Sequence, residues 1–209
     1  LASTTSIAVG PDQEVSAAGG GDYLAYRCDQ PLLNRYYNES YLPTYVTNDN
    51  PPNSFGGVAH PNNLFYPWSD FPKDNPDYRF FELFSNERIP GSNTISEWHN
   101  QLNYDRDDKI AAGDNGAFTV AVSGSDAHLI SSYWGKNMTY LKANLTPPSI
   151  TPAYQALLAG QAVASGDGSF ARFTMGGKQI GQVLRTTASN ISVSYYIQGA
   201  SPTTIISWF

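Results

Sequence analysis

The chain has 209 residues, of which 41% are hydrophobic and 14% are charged, and its formal net charge is −6. This acidic balance argues against binding of nucleic acid through the phosphate backbone, and no apolar run is long enough to cross a membrane. The many Ser, Thr, Asn, Gly, Pro and Tyr residues favour strands and turns over long amphipathic helices. We therefore expect a single β-rich domain over residues 1–209.

The single cysteine and the start of the chain bear on its cellular context. Cys28 has no second cysteine to pair with, so the fold does not depend on a disulfide, and we interpret Cys28 as a buried apolar residue. Leu1 opens a sequence without the basic start and apolar core of a signal peptide. We expect Leu1 to follow a cleavage site in a precursor or to open a fragment of a longer protein.

The first part of the chain predicts short strands and one long loop. Residues 1–21 end in AAGGG and predict an N-terminal arm. Residues 22–47 contain DYLAY and YLPTYV, whose alternation predicts strands. Residues 48–79 are rich in Pro, Asn and aromatic residues and predict a long loop region, because proline denies hydrogen bonds to a sheet. Residues 79–84 (RFFELF) predict the next strand.

The middle of the chain predicts two helices and a hairpin. Residues 93–102 predict a short helix, with Asn93 or Thr94 as its cap. Residues 117–124 (AFTVAVSG) predict a strand, and residues 128–134 predict its hairpin partner. Residues 151–168 predict a second helix, which begins at a Thr-Pro pair and which an internal glycine weakens.

From residue 169 onward, apolar and polar residues alternate with a period of two. Four segments show this pattern: SFARFTM, KQIGQVLRTT, ISVSYYIQ and TTIISWF. Short turns join them, which is typical of an antiparallel meander. The predicted fold is mainly β: an antiparallel β-sandwich, jelly-roll or barrel-like domain with long loops and one or two short helices.

The residue types of catalytic sites are present without the spacing that catalysis needs. Ser125, Asp126 and His128 are close in sequence, but successive side chains on a strand face opposite ways, and the G-x-S-x-G elbow is absent. His60, His99 and His128 lack the spacing of zinc ligands. We predict no catalytic residues and a protein that is not an enzyme, with a glycoside hydrolase fragment as the weaker alternative.

A group of aspartates raises the question of calcium. Asp105, Asp107 and Asp108 lie together in a predicted turn, and carboxylates clustered in a loop are ligands that calcium uses. The EF-hand pattern fails, because Lys109 occupies a ligand position. We favour a solvated acidic turn and expect no cofactor, with calcium at these three residues as the weaker alternative.

The aromatic loop region has a structural and a functional interpretation. Its most prominent rings are Tyr66, Trp68, Phe71 and Tyr78. In the structural interpretation these rings pack the loop onto the domain. In the functional one they form a surface for a sugar or a protein partner. We keep these four residues as candidate ligand-binding residues.

The sequence also contains acceptor sequons for N-glycosylation. They lie at Asn38, Asn137 and Asn190, with a fourth at Asn144 in a less favourable context before Pro147. Such sequons arise readily in a chain rich in Asn, Ser and Thr, so they do not establish a secreted glycoprotein.

This profile resembles the surface proteins of non-enveloped viruses, at the level of an astrovirus-like spike or a jelly-roll coat subunit. The resemblance rests on few charges, long aromatic loops and a β-meander. It implies a structural virion surface protein, located on the virion or otherwise outside the cell. Such a protein assembles with copies of itself and presents loops to a host glycan or protein receptor. The alternative function is a secreted or cell-surface carbohydrate-binding or adhesin domain.

Overall fold

The protein is described here by a computed structural model. It describes residues 12–18, 20–28, 32, 38–49, 54–62, 67–68, 78–85, 92–111, 113, 118–125, 137–143 and 149–199. The described residues form three sheets and three α-helices, and strands predominate. The prediction of a mainly β protein is therefore confirmed.

The described residues form the following strands and helices in chain order. They are β1 (Gln13–Ser16), β2 (Asp22–Tyr26), α1 (Leu42–Asp49), β3 (Phe55–Ala59), β4 (Tyr78–Phe84), α2 (Ser92–Tyr104), a π-helical turn (Asp105–Ile110), β5 (Val120–Ser123), β6 (Met138–Leu141), α3 (Thr151–Leu158), β7 (Ala162–Ser165), β8 (Phe170–Met175), β9 (Lys178–Gln179) and β10 (Val193–Gln198). None of the helices in the described ranges has the length and apolar character that crossing a bilayer requires.

The largest sheet has five strands in the order β1-β2-β3-β4-β5. The pairs β1–β2 and β2–β3 are antiparallel, while β3–β4 and β4–β5 are parallel. The prediction of an entirely antiparallel fold is therefore wrong for this sheet. Long connections allow the parallel pairs: helix α2 lies between β4 and β5, as parallel strands require a crossover of this kind.

One face of this sheet packs against helix α1. Leu42 and Val46 of α1 join Tyr23, Val58 and Phe81 of the sheet in one buried cluster. All five side chains are almost fully buried, so α1 closes this face by apolar contact.

The opposite face packs against helix α3. Phe80 and Val122 of the sheet contact Tyr154 and Leu157 of α3, together with Phe55. The rings of Phe55, Phe80 and Tyr154 meet edge to face, with centroids 5.4 to 5.6 Å apart. The five-stranded sheet is therefore covered on both faces by helices.

Strand β3 lies at the centre of the sheet and has almost no side-chain volume in its middle. All five of its residues are buried. A Cβ atom on Gly56 would lie 2.2 Å from the carbonyl oxygen of Leu24, and one on Gly57 would lie 2.2 Å from that of Phe80. The two glycines therefore allow both neighbouring strands to approach β3, and the register shifts between them.

The two smaller sheets come from the second half of the chain. Strands β6 and β7 form an antiparallel pair, and β8 pairs with both β9 and β10 in an antiparallel sheet ordered β10-β8-β9. The predicted antiparallel pairing is thus confirmed for β8, β9 and β10, but the predicted meander order is wrong, because β8 lies between β9 and β10. KQIGQVLRTT contributes only the two residues of β9. The segments predicted as strands at 128–134 and 203–209 lie outside the described residues.

Three predictions of local structure differ from the structure. YLPTYV is in helix α1 and is not a strand. Strand β3 lies inside the region 48–79 that was predicted to be a loop. The helix predicted at 151–168 ends at Leu158, because Gly160 takes a φ of 67°, and strand β7 follows.

The close approach at β3 yields a test of stability. We expect Gly57→Ala to lower the free energy of unfolding by about 3 kcal/mol, because the added methyl group overlaps the backbone of Phe80. The matched control is Gly177→Ala, where a Cβ meets no atom within 4 Å and only the positive φ is unfavourable; about 1 kcal/mol is expected there. Urea unfolding measures both, and equal losses would contradict the close-packing argument.

Candidate functional site

Of the four candidate rings of the loop region, the one that the structure describes in full is Trp68. Its side chain is buried against Tyr23, with ring centroids 6.3 Å apart, and its Nε1–H donates to the carbonyl oxygen of Asp22 at 2.9 Å. Trp68 therefore packs the loop onto the sheet and presents no ring to a ligand. Tyr66 and Phe71 lie outside the described residues, as does the side chain of Tyr78, the first residue of β4.

The three candidate calcium ligands do not converge. Asp105 is fully buried; its carboxylate accepts hydrogen bonds from the Thr119 backbone N–H and from Gln101, and it pairs with Lys109 at 2.9 Å. Asp107 and Asp108 are exposed instead, and the side chain of Asp107 pairs with Arg106 at the surface. Asp105 thus serves to join the π-helical turn to the start of β5.

The structure describes only some of the candidate glycosylation and catalytic-triad residues. Asn38 and Asn190 are exposed and Asn137 is half-buried. Asn38 lies just before α1, and its side-chain oxygen accepts the backbone N–H of Tyr41. Ser125 follows β5, whereas Asp126, His128 and Asn144 lie outside the described residues.

A cluster that the sequence did not predict lies at one end of the five-stranded sheet. Glu14 of β1, Asp22 at the start of β2 and His60 directly after β3 present side-chain atoms that all lie within 4.8 Å of one another. The Nε2 atom of His60 is 3.1 Å from Glu14 Oε1 and 3.6 Å from Asp22 Oδ2. Within the described part of the chain, no other group of three such residues meets so closely.

A fourth acidic residue fixes the position of His60. The buried carboxylate of Glu82, on β4, accepts the backbone N–H of His60 at 2.7 Å. Gly124 leaves the space for this carboxylate, because a Cβ there would lie 2.8 Å from Glu82 Oε1. His60 has a φ of 24°, which is uncommon outside glycine, so the hydrogen bond to Glu82 holds a strained residue in place.

The acidic surroundings control the charge of His60. Burial of the ring lowers the pKa of His60, but the hydrogen bond to Glu14 and the charges of Glu82, Glu14 and Asp22 outweigh burial and raise the pKa to about 9. The imidazole is therefore a cation at neutral pH, enclosed by three carboxylates.

A second feature is a groove between the two smaller sheets. It has a volume of 520 Å³. The rings of Tyr140 and Phe170 meet there with centroids 5.2 Å apart, and the guanidinium of Arg172 lies 5.8 Å from the ring centre of Tyr196. Lys142 also lines the groove and donates a hydrogen bond to Gln179. The groove thus combines aromatic faces with polar groups.

The third feature is the exposed apolar surface of β10 and the segment before it. Tyr195 is 61% exposed and Tyr196 50%, although adjacent strand residues point to opposite faces. Ile191 and Val193 are also exposed. Among the described residues, four of the seven exposed large hydrophobic side chains lie between positions 191 and 196, so both faces of β10 expose apolar area.

Comparisons with protein-family models, with curated proteins and with solved structures found no match. Function must therefore be argued from the cluster at Glu14, Asp22 and His60, from the groove and from the surface of β10.

The raised pKa of His60 predicts how stability depends on pH. A pKa raised above the ordinary 6.5 contributes stability that is fully present below about pH 6.5 and is lost as pH rises through about 9. We expect the wild-type chain to exceed His60→Asn in stability by on the order of 2 kcal/mol at pH 6, with the difference shrinking by pH 9.5. Asparagine tolerates the left-handed backbone.

Urea unfolding across this range measures the difference, and NMR titration of the imidazole measures the pKa directly. In Glu14→Gln we expect the pKa of His60 to fall by about 1 unit, because a hydrogen-bonded charge is removed. A stability difference that stays constant across the range would contradict the assigned environment.

Proposed function

We propose that this chain is a structural subunit that assembles with copies of itself on the surface of a non-enveloped virus particle, without enzymatic activity. The observation that carries the assembly proposal is the exposure of apolar side chains on both faces of β10. A three-stranded sheet needs an apolar face packed against another layer for independent stability. A contact between subunits would supply that layer.

The distribution of charge supports a second copy of the chain as the partner. Residues 1–168 carry all 18 acidic residues and nine basic ones, whereas residues 169–209 carry three basic residues and none that is acidic. The last segment is therefore positive and the rest strongly negative. The C-terminal sheet of one subunit can dock on the acidic part of another, which is a head-to-tail contact that closes into rings or shells.

The strand β10 is itself suited to a contact between chains. Its six residues carry no charge, and it is an edge strand of the sheet formed by the described residues. Edge strands without charge or proline are those that pair with other chains. The virion assignment extends this argument by the resemblance of composition and loops. The finer fold that the resemblance implies is a sandwich or jelly-roll, and we propose it together with the virion assignment.

The groove favours a second candidate function, carbohydrate binding at a cell surface. Sugars present an apolar face that packs on aromatic rings and hydroxyl groups that bind polar side chains. Tyr140 and Phe170 offer the rings, and Arg172 and Gln179 offer the polar groups. In a virion protein the same groove would serve attachment to a host glycan.

The assembly proposal predicts a concentration-dependent oligomer. In Tyr195→Ser/Tyr196→Ser we expect the dissociation constant to rise at least tenfold, about 1.4 kcal/mol, because two interfacial tyrosines lose their buried area. Light scattering coupled to size-exclusion chromatography measures this. The control is Tyr41→Ser, an exposed tyrosine outside the C-terminal sheet. High salt should also weaken the oligomer. A wild-type chain that stays monomeric at every concentration and salt tested would refute the proposal.

The carbohydrate alternative predicts binding that depends on an aromatic face in the groove. On a glycan array and then by titration with the best glycan, Phe170→Leu should bind about tenfold more weakly, because the aliphatic side chain keeps volume and loses the ring. Phe118→Leu, an exposed ring that does not line this groove, should bind like the wild type. Equal affinities in all three proteins would exclude the groove as the site.

A further inference from the structure

Strands β1, β2 and β3 of the five-stranded sheet bring Glu14, Asp22 and His60 together. None of these residues belongs to the C-terminal sheet, on which the assembly proposal rests. Asp22 pairs with Ala59 across β2 and β3, so His60 follows next to Asp22 at the end of β3. Glu14 pairs with Leu24, two residues from Asp22, and therefore lies on the same face of the hairpin as Asp22. The register of the sheet thus fixes all three positions.

The distances in this cluster fit the coordination of one small cation. Ligand bonds of about 2.0 to 2.1 Å in a tetrahedral site place neighbouring donor atoms roughly 3.3 Å apart. Two separations, 3.1 Å from His60 Nε2 to Glu14 and 3.6 Å to Asp22, lie on either side of this value. Small rotations of side chains would therefore suffice to enclose an ion.

Asp22 gives a separate indication that a cation belongs here. Its side chain is only 10% exposed, and within the described ranges no hydrogen bond reaches its carboxylate oxygens. The partner at Asp22 Oδ2 is His60 Nε2, at 3.6 Å, which is longer than a hydrogen bond. Buried carboxylates are ordinarily hydrogen-bonded, because an unsatisfied one loses the stabilisation that water gives it. Its Oδ2 faces the imidazole of His60 and lies within 4.8 Å of the Glu14 carboxylate, so the three donor atoms are close enough to share one ion.

Groups behind the cluster hold two of its three residues, Asp22 and His60, in position. Trp68 donates to the backbone carbonyl of Asp22, and Glu82 accepts the backbone N–H of His60. Both partners are buried. Positioning of this kind by surrounding residues raises the affinity of metal sites.

We propose that Glu14, Asp22 and His60 form a binding site for one divalent transition-metal ion of the zinc type. A nitrogen donor with two carboxylates favours such an ion over calcium or magnesium, which prefer oxygen ligands alone. Two carboxylates and a neutral imidazole balance the charge of the ion. The side chain of Glu14 is 44% exposed, so a fourth position is open to water on that side.

Zinc uptake by the full chain tests the site. After removal of metal with a chelator and dialysis, zinc chloride is titrated in competition with a chromophoric chelator, in weakly alkaline buffer because protons compete for the imidazole. We expect one ion per chain. In Asp22→Asn and His60→Asn we expect zinc affinity to fall by at least about 100-fold, since each loses a ligand.

Two controls separate this site from incidental binding at the surface. His99→Gln removes an exposed histidine on α2, and Asp107→Asn an exposed carboxylate of the π-helical turn; both should bind zinc like the wild type. Glu14→Gln is the variant least able to disturb folding, because Glu14 is half-exposed, and about tenfold weaker binding is expected. Zinc should also raise the thermal midpoint of the wild type and not that of His60→Asn.

The outcomes are distinct from those of the assembly test. Binding of one zinc ion that depends on Asp22 and His60 supports the site whether or not the chain forms oligomers. A wild-type chain that takes up no zinc overturns the proposal. Unchanged affinity in folded His60→Asn, or binding of calcium as tight as that of zinc, overturns it as well.

Discussion

The close contact of strand β3 with its two neighbours is the constraint on which the rest of the structure depends. Gly56 and Gly57 leave no room for a Cβ atom, because the backbones of Leu24 and Phe80 lie where one would be. Strand β3 thus pairs with the antiparallel part of the sheet on one side and with the parallel part on the other. The close contact also sets where β3 ends, and His60 follows at that point beside Asp22. Packing at the centre of the sheet and the geometry of the charged cluster are therefore consequences of the same pair of glycines.

Much of the fold follows from patterns that are visible in the sequence. The apolar run of β4, the alternation of β5, β8 and β10, and the helix near Thr94 all appear where local preference and tertiary structure agree. Helix α1 was missed because the alternation in YLPTYV suggested a strand, and Pro43 is no obstacle to the helix, since proline in the first turn of a helix is well tolerated. Strand β3 was missed because FGG in a proline-rich region has the composition of a turn, and it is a strand only through its pairing with β2 and β4.

The cluster at Glu14, Asp22 and His60 was beyond the reach of sequence patterns for a different reason. Its members are separated by eight and 38 residues and belong to no motif. Their meeting depends on the register of two strand pairs, one of which involves the undetected strand β3. By contrast, the aspartates that looked like ligands because they are adjacent, Asp105 and Asp107, point to different environments. Adjacency in a helical turn spreads side chains around its axis, whereas register in a sheet brings distant ones together.

The five-stranded sheet and the C-terminal sheet differ in how their apolar side chains are covered. The five-stranded sheet has helices α1 and α3 on its two faces, and its charged groups are paired within the subunit, as the buried Glu82 and the enclosed His60 show. The sheet of β8, β9 and β10 has no such cover in the described residues, and its basic side chains have no acidic residue after residue 168 to balance them. Exposed apolar area and an excess of basic over acidic residues thus occur in the same region. A single contact with an acidic surface would satisfy both, and the part of the chain that carries the remaining charge, residues 1–168 of another copy, offers one. The physical case for assembly therefore rests on this coincidence of exposed tyrosine and unbalanced positive charge, and it stands independently of any ion bound at the far smaller cluster of Glu14, Asp22 and His60.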